Sequence, residues 1–381
     1  MPNSPTLTSA YLLELGSTPE LSWAELDSLF GDKVKRVDTN LAILNQPQET
    51  VDQLIDILGG TIKIFQVLDT LPLTTSNQEL EIKLLKLLET NQKLKFFVAE
   101  INRHHLPAID LFKIKTHLTE AGQTVRYMAG PRQGLSAAIL RHKTGIKELA
   151  VINTPEHIYL AQTLAVQDID DWTKRDRGKP FADRQRGLLT PKVARMMVNL
   201  AGSNRQRIIY DPFCGTGTIL MEAGILGFER LVGSDLDPDA VTGSSQNLEW
   251  LQTNYQITVG INIFPADATK AQPQPIPDVI VTEPFLGKLK PKAHQVPNIV
   301  KGLTKLYIGT LKNWHHWLKP GSEVVIIFPR FIEASGPSVY ENLIDKFDQL
   351  GYTTTLEPII YARPKAIVQR QIVRLKVKQY T

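Results

Sequence analysis

The chain has 381 residues, 42% of them hydrophobic and 22% charged, with a formal net charge of +4. That length is more than one ordinary core supports, so two or three domains are expected, and the composition excludes an intrinsically disordered chain. There is no uninterrupted run of about eighteen apolar residues to cross a membrane, no basic-then-apolar leader at Met1-Pro2-Asn3-Ser4-Pro5, and only one cysteine, Cys214, which excludes an internal disulfide or a cysteine-rich zinc site. Taken in chain order, Tyr11 to Leu15 predicts a strand, and Ser22 is placed to cap a helix through Trp23, Leu26, Leu29 and Phe30. Val34 to Val37 and Leu41 to Leu44 predict strands around an Asp38-Thr39-Asn40 turn. Val51, Leu54, Ile55 and Leu58 then recur at helical spacing and stop at Gly59-Gly60, before a last strand through Ile62, Ile64, Phe65 and Val67. The order βαββαβ over residues 1–72 is that of a ferredoxin-like unit.

Residues 73–167 predict a second α/β block. A helix from Gln78 to Leu88 precedes the strand Phe96 to Ile101, and a helix from Leu111 to Leu118 ends at Ala121-Gly122 before the strand Thr124 to Met128. Leu149 to Ile152 and Tyr159 to Thr163 supply a closing pair of strands. Residues 168–187 are polar and are expected to form a linker. From 188 to 381 strands alternate with helices, the pattern of a doubly wound, Rossmann-like sheet, with a terminal hairpin of Ile359 to Tyr361 and Ile367 to Val377.

Charge is unevenly spread. Residues 1–60 carry nine acidic and three basic side chains, whereas residues 172–207 carry ten basic and two acidic ones. Residues 284–305 add five lysines and residues 361–381 six basic groups, with no acid in either. Three acid-poor segments suit a polyanion, although each could equally be a solvated face of an ordinary element. Arg175, Arg177, Lys179, Arg184 and Arg186 are the expected phosphate contacts.

The motif that carries chemistry is Asp211-Pro212-Phe213-Cys214-Gly215-Thr216-Gly217-Thr218, between the strand Ile208 to Tyr210 and the helix Ile219 to Leu226. A glycine turn between strand and helix lets a ligand approach the backbone at the open edge of a sheet. Gly233-Ser234-Asp235 closes the next strand, 24 residues after Asp211, where a carboxylate can accept both hydroxyls of a ribose. Asp267 is a third acid on the same rim. Neither a dinucleotide fingerprint nor a phosphate-loop lysine is present. With no histidine near it in sequence, Cys214 reads as turn packing rather than as a nucleophile. The pairs His104-His105 and His315-His316 lack the i, i+4 spacing of metal ligands on a helix, so no metal is expected.

The glycine turn resembles the first motif of the class I S-adenosylmethionine-dependent methyltransferases. That resemblance implies that Asp211 and the turn residues Phe213, Gly215, Thr216, Gly217 and Thr218 face the methionine end of the donor, that Asp235 binds ribose and that Asp267 reads the adenine amine. Amino-group methyltransferases carry Asp or Asn, two prolines and an aromatic at the position that follows the strand Val279 to Val281, where this chain has Glu283-Pro284-Phe285-Leu286. The position has a physical logic, because a conjugated exocyclic amine is a poor nucleophile until acceptors on its two hydrogens localise its lone pair. Glu283 and the Pro284 carbonyl are the candidate acceptors, and Phe285 is the candidate platform for an unstacked base.

Across the whole chain the order of blocks resembles the THUMP-domain tRNA guanine-N2-methyltransferases, which join a ferredoxin-like and a THUMP RNA-binding region to a class I methyltransferase domain. The junction Trp172 to Pro180, followed by Gly187 to Arg195, is similar to that family's entry into its catalytic domain, and implies that Thr190 and Pro191 lie near the donor's carboxylate. The resemblance implies an enzyme acting on tRNA, and the cysteine count and N-terminal composition set the expected compartment as the cytoplasm. Methyl transfer to another amine, in DNA, rRNA or a protein glutamine, stays open, as does an RNA-binding protein that keeps the fold without turnover.

Overall fold

A computed structural model describes residues 9–46, 51, 53–182, 189–288, 290–332, 336–363 and 366–379. The chain divides into two units, Met1–Asp171 and Trp172–Thr381.

The first unit opens with β1 (Ser9–Leu15), α1 (Pro19–Phe30), β2 (Val34–Asp38), β3 (Leu41–Gln46), α2 (Leu54–Ile57) and β4 (Thr61–Leu71). The four strands lie antiparallel in the order β2-β3-β1-β4, which is the ferredoxin-like arrangement expected from the element order. Tyr11, Leu13 and Leu15 point to one face of β1 and pack with Leu26, Leu54 and Ile55 from the helices. The buried Glu25 carboxylate accepts the Gly59 and Gly60 backbone N–H groups at 2.8 and 2.9 Å, so the glycine turn after α2 has a specific anchor.

The unit continues with α3 (Asn77–Leu88), β5 (Leu94–Ile101), α4 (Leu111–Glu120), β6 (Val125–Tyr127), α5 (Ala137–His142), β7 (Ile146–Asn153) and β8 (Ile158–Val166). Ser76 and Glu79 form a reciprocal capping box at the start of α3, which buries Leu80, Leu84 and Leu88 one turn apart. Helix α5 was not anticipated. It is short and shows its start only through Ser136, whose hydroxyl accepts from Ile139 N–H. β8 pairs antiparallel with β4 from Lys63 to Leu71, so both expected N-terminal blocks contribute to one eight-stranded sheet, β2-β3-β1-β4-β8-β7-β5-β6.

Where a linker was expected, Ile169–Arg177 form helix α6. The correction has an electrostatic cause. Asp170 and Asp171 occupy the first turn and Lys174, Arg175 and Arg177 the last, which complements the helix dipole at both ends. With few apolar residues, that signal escapes a reading based on hydrophobic periodicity.

The second unit runs α7 (Pro191–Leu200), β9 (Ile208–Asp211), α8 (Thr218–Ile225), β10 (Arg230–Asp235), α9 (Pro238–Tyr255), β11 (Gly260–Pro265), β12 (Val279–Thr282), α10 (Val296–Trp317), β13 (Glu323–Phe331), β14 (Tyr352–Tyr361) and β15 (Val368–Val377). Its seven-stranded sheet has the order β11-β10-β9-β12-β13-β15-β14. The first five strands are parallel, and β15 runs antiparallel to both β13 and β14. The central strands are buried on both faces, as their continuous apolar runs require. Two features position a site. The chain reverses its direction of sheet growth between β9 and β12, which opens a crevice beyond the carboxyl ends of the parallel strands. Because β15 is antiparallel, its first residues reach that same rim.

Candidate active site

Asp211 and Asp235 end the neighbouring strands β9 and β10, and Asp267 follows β11 by two residues. All three line one cleft of about 1690 Å³, together with Phe213, Gly215, Thr216, Thr218, Glu283, Pro284 and Phe285. The sequence-predicted site is therefore brought together, with a few exceptions. Thr190 caps α7 by accepting from Val193 N–H, and Pro191 is its first residue; it is Leu189, just before them, that lines the cleft. Gly217 supports the turn from behind. It has φ +76°, and a Cβ there would lie 2.5 Å from Ser244 Oγ on α9, so a side chain would be both strained and obstructed. Gly215, with φ +51°, is the opposite case, since the nearest atom to an added Cβ is the Phe213 carbonyl oxygen 3.9 Å away.

The three acids sit in different environments. Asp211 is buried, and its Oδ1 accepts from Phe213 N–H at 3.1 Å and Thr282 Oγ1 at 2.6 Å. Burial nonetheless dominates and pushes its carboxyl up to about 7. Asp235 accepts the Gly215 N–H on Oδ2 and the Asp237 N–H on Oδ1, both at 3.0 Å, and so ties the glycine turn to the end of β10. Asp267 is held below the usual carboxylate range by bonds from the Thr269 hydroxyl and N–H. Cys214 is buried, and burial pushes its thiol well up, which leaves it a packing residue rather than a nucleophile.

On the opposite wall, Glu283 follows β12 and accepts from Arg370 Nε of β15 at 2.5 Å. Its carboxyl is raised by burial, with the Arg370 guanidinium opposing. Phe285 turns its ring outward, 63% exposed, while its carbonyl accepts the buried Tyr307 hydroxyl at 2.8 Å. An apolar ring held in the open at the mouth of the cleft by a fixed backbone is placed to stack a planar ligand.

The basic junction departs from expectation. Arg175 and Lys179 are 2% and 5% exposed, so neither can reach a phosphate in this fold. Arg175 Nε donates to Glu222 Oε1 at 2.7 Å, and Arg195 Nε donates to Glu222 Oε2 at 2.8 Å. Both guanidinium groups also face the Trp172 ring, 4.3 and 4.9 Å from its centroid. Lys179 Nζ donates to the hydroxyls of Thr218 at 2.8 Å and Thr216 at 3.3 Å, bracing the glycine turn. Arg177 is exposed; Arg184 and Arg186 lie outside the described residues.

Several cleft residues were not anticipated. Phe181 exchanges backbone bonds with the Asn247 side chain, which also donates to the Thr216 carbonyl at 2.8 Å. Its ring lies so close to α9 that a Cβ on Gly243 would be 2.1 Å away. The run Thr242-Gly243-Ser244-Ser245 was the available signal, because small residues in mid-helix mark a close approach. Arg370 stands 87 residues from Glu283, and no local pattern joins them.

Residues 181–334 match the family UPF0020, described as an RMKL-like methyltransferase domain. The C-terminal unit is thus similar to a methyltransferase domain over most of its length. A tRNA (guanine(10)-N2)-dimethyltransferase of Methanothermobacter thermautotrophicus is 32% identical over 218 residues, covering 55% of this chain and 59% of that protein. One from Methanocaldococcus jannaschii is 31% identical over 165 residues, covering 35% and 47%. The chain thus spans about half the length of these relatives, and the resemblance to tRNA guanine-N2-methyltransferases drawn from the motifs is borne out by them. In fold, TrmN from Thermus thermophilus superposes with a TM-score of 0.56 over 97% of this chain and 99% of its own, at 17% identity. The methyl donor of such a domain is S-adenosylmethionine, and the cleft suits it. The space in front of Gly215 admits a ligand against the backbone, and Asp211, Asp235 and Asp267 follow one another along the rim at the ends of β9, β10 and β11. A cleft larger than a usual small-molecule site of about 300–1,000 Å³ leaves room for a second ligand beside the donor. Among the described residues no group of three or more His, Cys, Asp or Glu could hold a metal ion, and no helix is long and apolar enough to cross a membrane.

Proposed function

We propose that this chain is a cytoplasmic enzyme that transfers a methyl group from S-adenosylmethionine to the exocyclic N2 amine of a guanine in tRNA. The observation that carries this reading is a single cleft joining three rim acids to Glu283, Pro284 and an outward-facing Phe285. The named tRNA enzymes among its relatives support the substrate. The N-terminal unit, ferredoxin-like over 1–72 and THUMP-like over 73–167, is the RNA-holding part. The methyltransferase domain takes in the end of the junction as well, since Trp172, Arg175 and Lys179 belong to the same unit as its glycine turn.

In this reading Asp235 accepts the ribose hydroxyls, Asp267 accepts from the adenine amine, and Asp211 with the turn Phe213 to Thr218 faces the methionine end. Thr190 and Pro191 act through the entry of α7, beside Leu189. When bound, the donor supplies a methyl on sulfonium: the nitrogen–carbon bond forms as the carbon–sulfur bond breaks, its electron pair stays on sulfur, and the amine sheds a proton to solvent. The protein's part is positioning and polarisation. Phe285 stacks the target base, Glu283 accepts one amine hydrogen, and the Pro284 carbonyl accepts the other. Both acceptors push the nitrogen lone pair toward the methyl carbon, so no strong general base is needed.

The test is single-turnover methylation of an unmodified tRNA transcript. Glu283→Ala and Phe285→Ala are each expected to slow transfer at least tenfold, stacking alone being worth about 1–3 kcal/mol. Calorimetric affinity for S-adenosylmethionine should hardly change. A Glu283→Ala enzyme at the wild-type rate would place the clamp elsewhere. A wild type that binds both ligands and transfers nothing would leave an RNA-binding protein without turnover.

A further inference from the structure

Glu283 and Arg370 form an ion pair at the cleft wall, with 15% and 11% of their side-chain surfaces exposed. A single bond joins Arg370 Nε to Glu283 Oε1. The other groups whose charges bear on Glu283 are Asp211 of β9, the Tyr307 hydroxyl of α10 and Arg363 beyond β14. Arg370 is therefore the cation in direct contact, and it opposes the pull of burial toward a neutral acid.

The protonation state of this side chain decides which base edge it can meet. An ionised carboxylate offers acceptors only, whereas an amide or a neutral acid offers one donor and one acceptor. Exocyclic amines differ in what lies beside them. On the Watson–Crick side the adenine and cytosine amines each adjoin a ring nitrogen that accepts, while the guanine N2 amine adjoins N1–H, a donor, its accepting N3 lying on the other side. We infer that the Glu283–Arg370 pair selects guanine: Arg370 holds Glu283 as an acceptor-only group that takes both N1–H and one N2 hydrogen and repels the lone pair beside an adenine or cytosine amine. This inference rests on the guanine-N2 reading above. Arg370 is a positioning residue, since it acts through Glu283. A site built for a donor–donor edge rejects the wrong edge because its own acceptors would be left facing a lone pair.

The test uses tRNA transcripts carrying either guanine or 2-aminopurine at the nucleotide that the wild type methylates. 2-Aminopurine keeps the amine but has an accepting N1. Wild-type enzyme is expected to prefer guanine by at least about tenfold in single turnover. Glu283→Gln, nearly the same shape, should lose rate on guanine and narrow or reverse that preference. Fluorescence titration of the 2-aminopurine transcript reads binding apart from turnover, and Glu283→Gln should gain affinity for it relative to wild type. Arg370→Met should give a guanine rate that falls as pH is lowered and recovers as pH rises, because Glu283 then takes up a proton in its buried position. Arg370→Lys should restore much of the wild-type profile. Equal wild-type rates on the two bases, or an Arg370→Met profile parallel to wild type, would overturn the inference while guanine methylation stands. A wild type that methylates no guanine would remove the reading beneath it.

Discussion

Asp211 takes both of its hydrogen bonds on Oδ1, from Phe213 N–H and Thr282, and burial still lifts its carboxyl to about 7. If it faces the donor's α-ammonium, binding must ionise the fraction that is neutral. The sign follows: affinity for S-adenosylmethionine should climb as pH rises toward about 7 and level off above it. Calorimetry in buffers of different ionisation enthalpy would detect the released proton, and Asp211→Asn should abolish both the release and the slope. A wild type with pH-independent affinity would detach Asp211 from the ammonium. Asp235 makes a second demand on the same ligand. If it accepts both ribose hydroxyls as proposed, those bonds are worth roughly 1.5–3 kcal/mol each, and Asp235→Ala should weaken donor binding at least tenfold. The same change frees the Gly215 N–H, so the loss combines a lost ligand contact with a looser turn. Unchanged affinity would remove this acid from the ribose. These acids were legible because each ends a strand within a short local motif. Arg370 was not, because only the antiparallel course of β15 carries it to the rim.

Helix α6 and the chain behind it hold a buried network, and its energetics belong to the element. Glu222 of α8 receives Arg175 of α6 and Arg195 of α7, with Trp172 against both guanidinium groups. Removing the shared carboxylate strips two buried guanidinium groups of their common acceptor. Glu222→Ala should therefore cost about 3–5 kcal/mol, measured by urea denaturation of the whole chain. A loss under about 1 kcal/mol would mean that the arginines are compensated elsewhere. Here the sequence misled for a definite reason. A count of ten basic residues over 172–207 records charge but not burial, and Arg175 and Lys179 turned out to brace the domain rather than face RNA. The linker reading failed on the same stretch, since α6 is stabilised by its end charges and not by an apolar stripe. Strands of the doubly wound sheet, by contrast, were legible as continuous apolar runs.

For the whole molecule, the question is which surface meets a polyanion. With Arg175 and Lys179 withdrawn, the exposed Lys288 and Lys290 at the cleft mouth and Lys301 and Lys305 on α10 become the candidate phosphate contacts, beside Arg177. Replacing Lys288 and Lys290 by alanine should flatten the salt dependence of tRNA binding by about 0.7 to 0.9 per lost contact. Arg175→Ala should destabilise the fold without changing that slope. A slope that ignores the lysines would make them a solvated face only. The most direct measurement on the molecule is mass spectrometry of the nucleosides from unmodified tRNA incubated with the purified protein and methyl-labelled S-adenosylmethionine. Label in N2-methylguanosine or its dimethyl form is the expected result. Label confined to an adenine, a cytosine or protein glutamine, or no transfer despite binding of both ligands, would contradict guanine-N2 methylation.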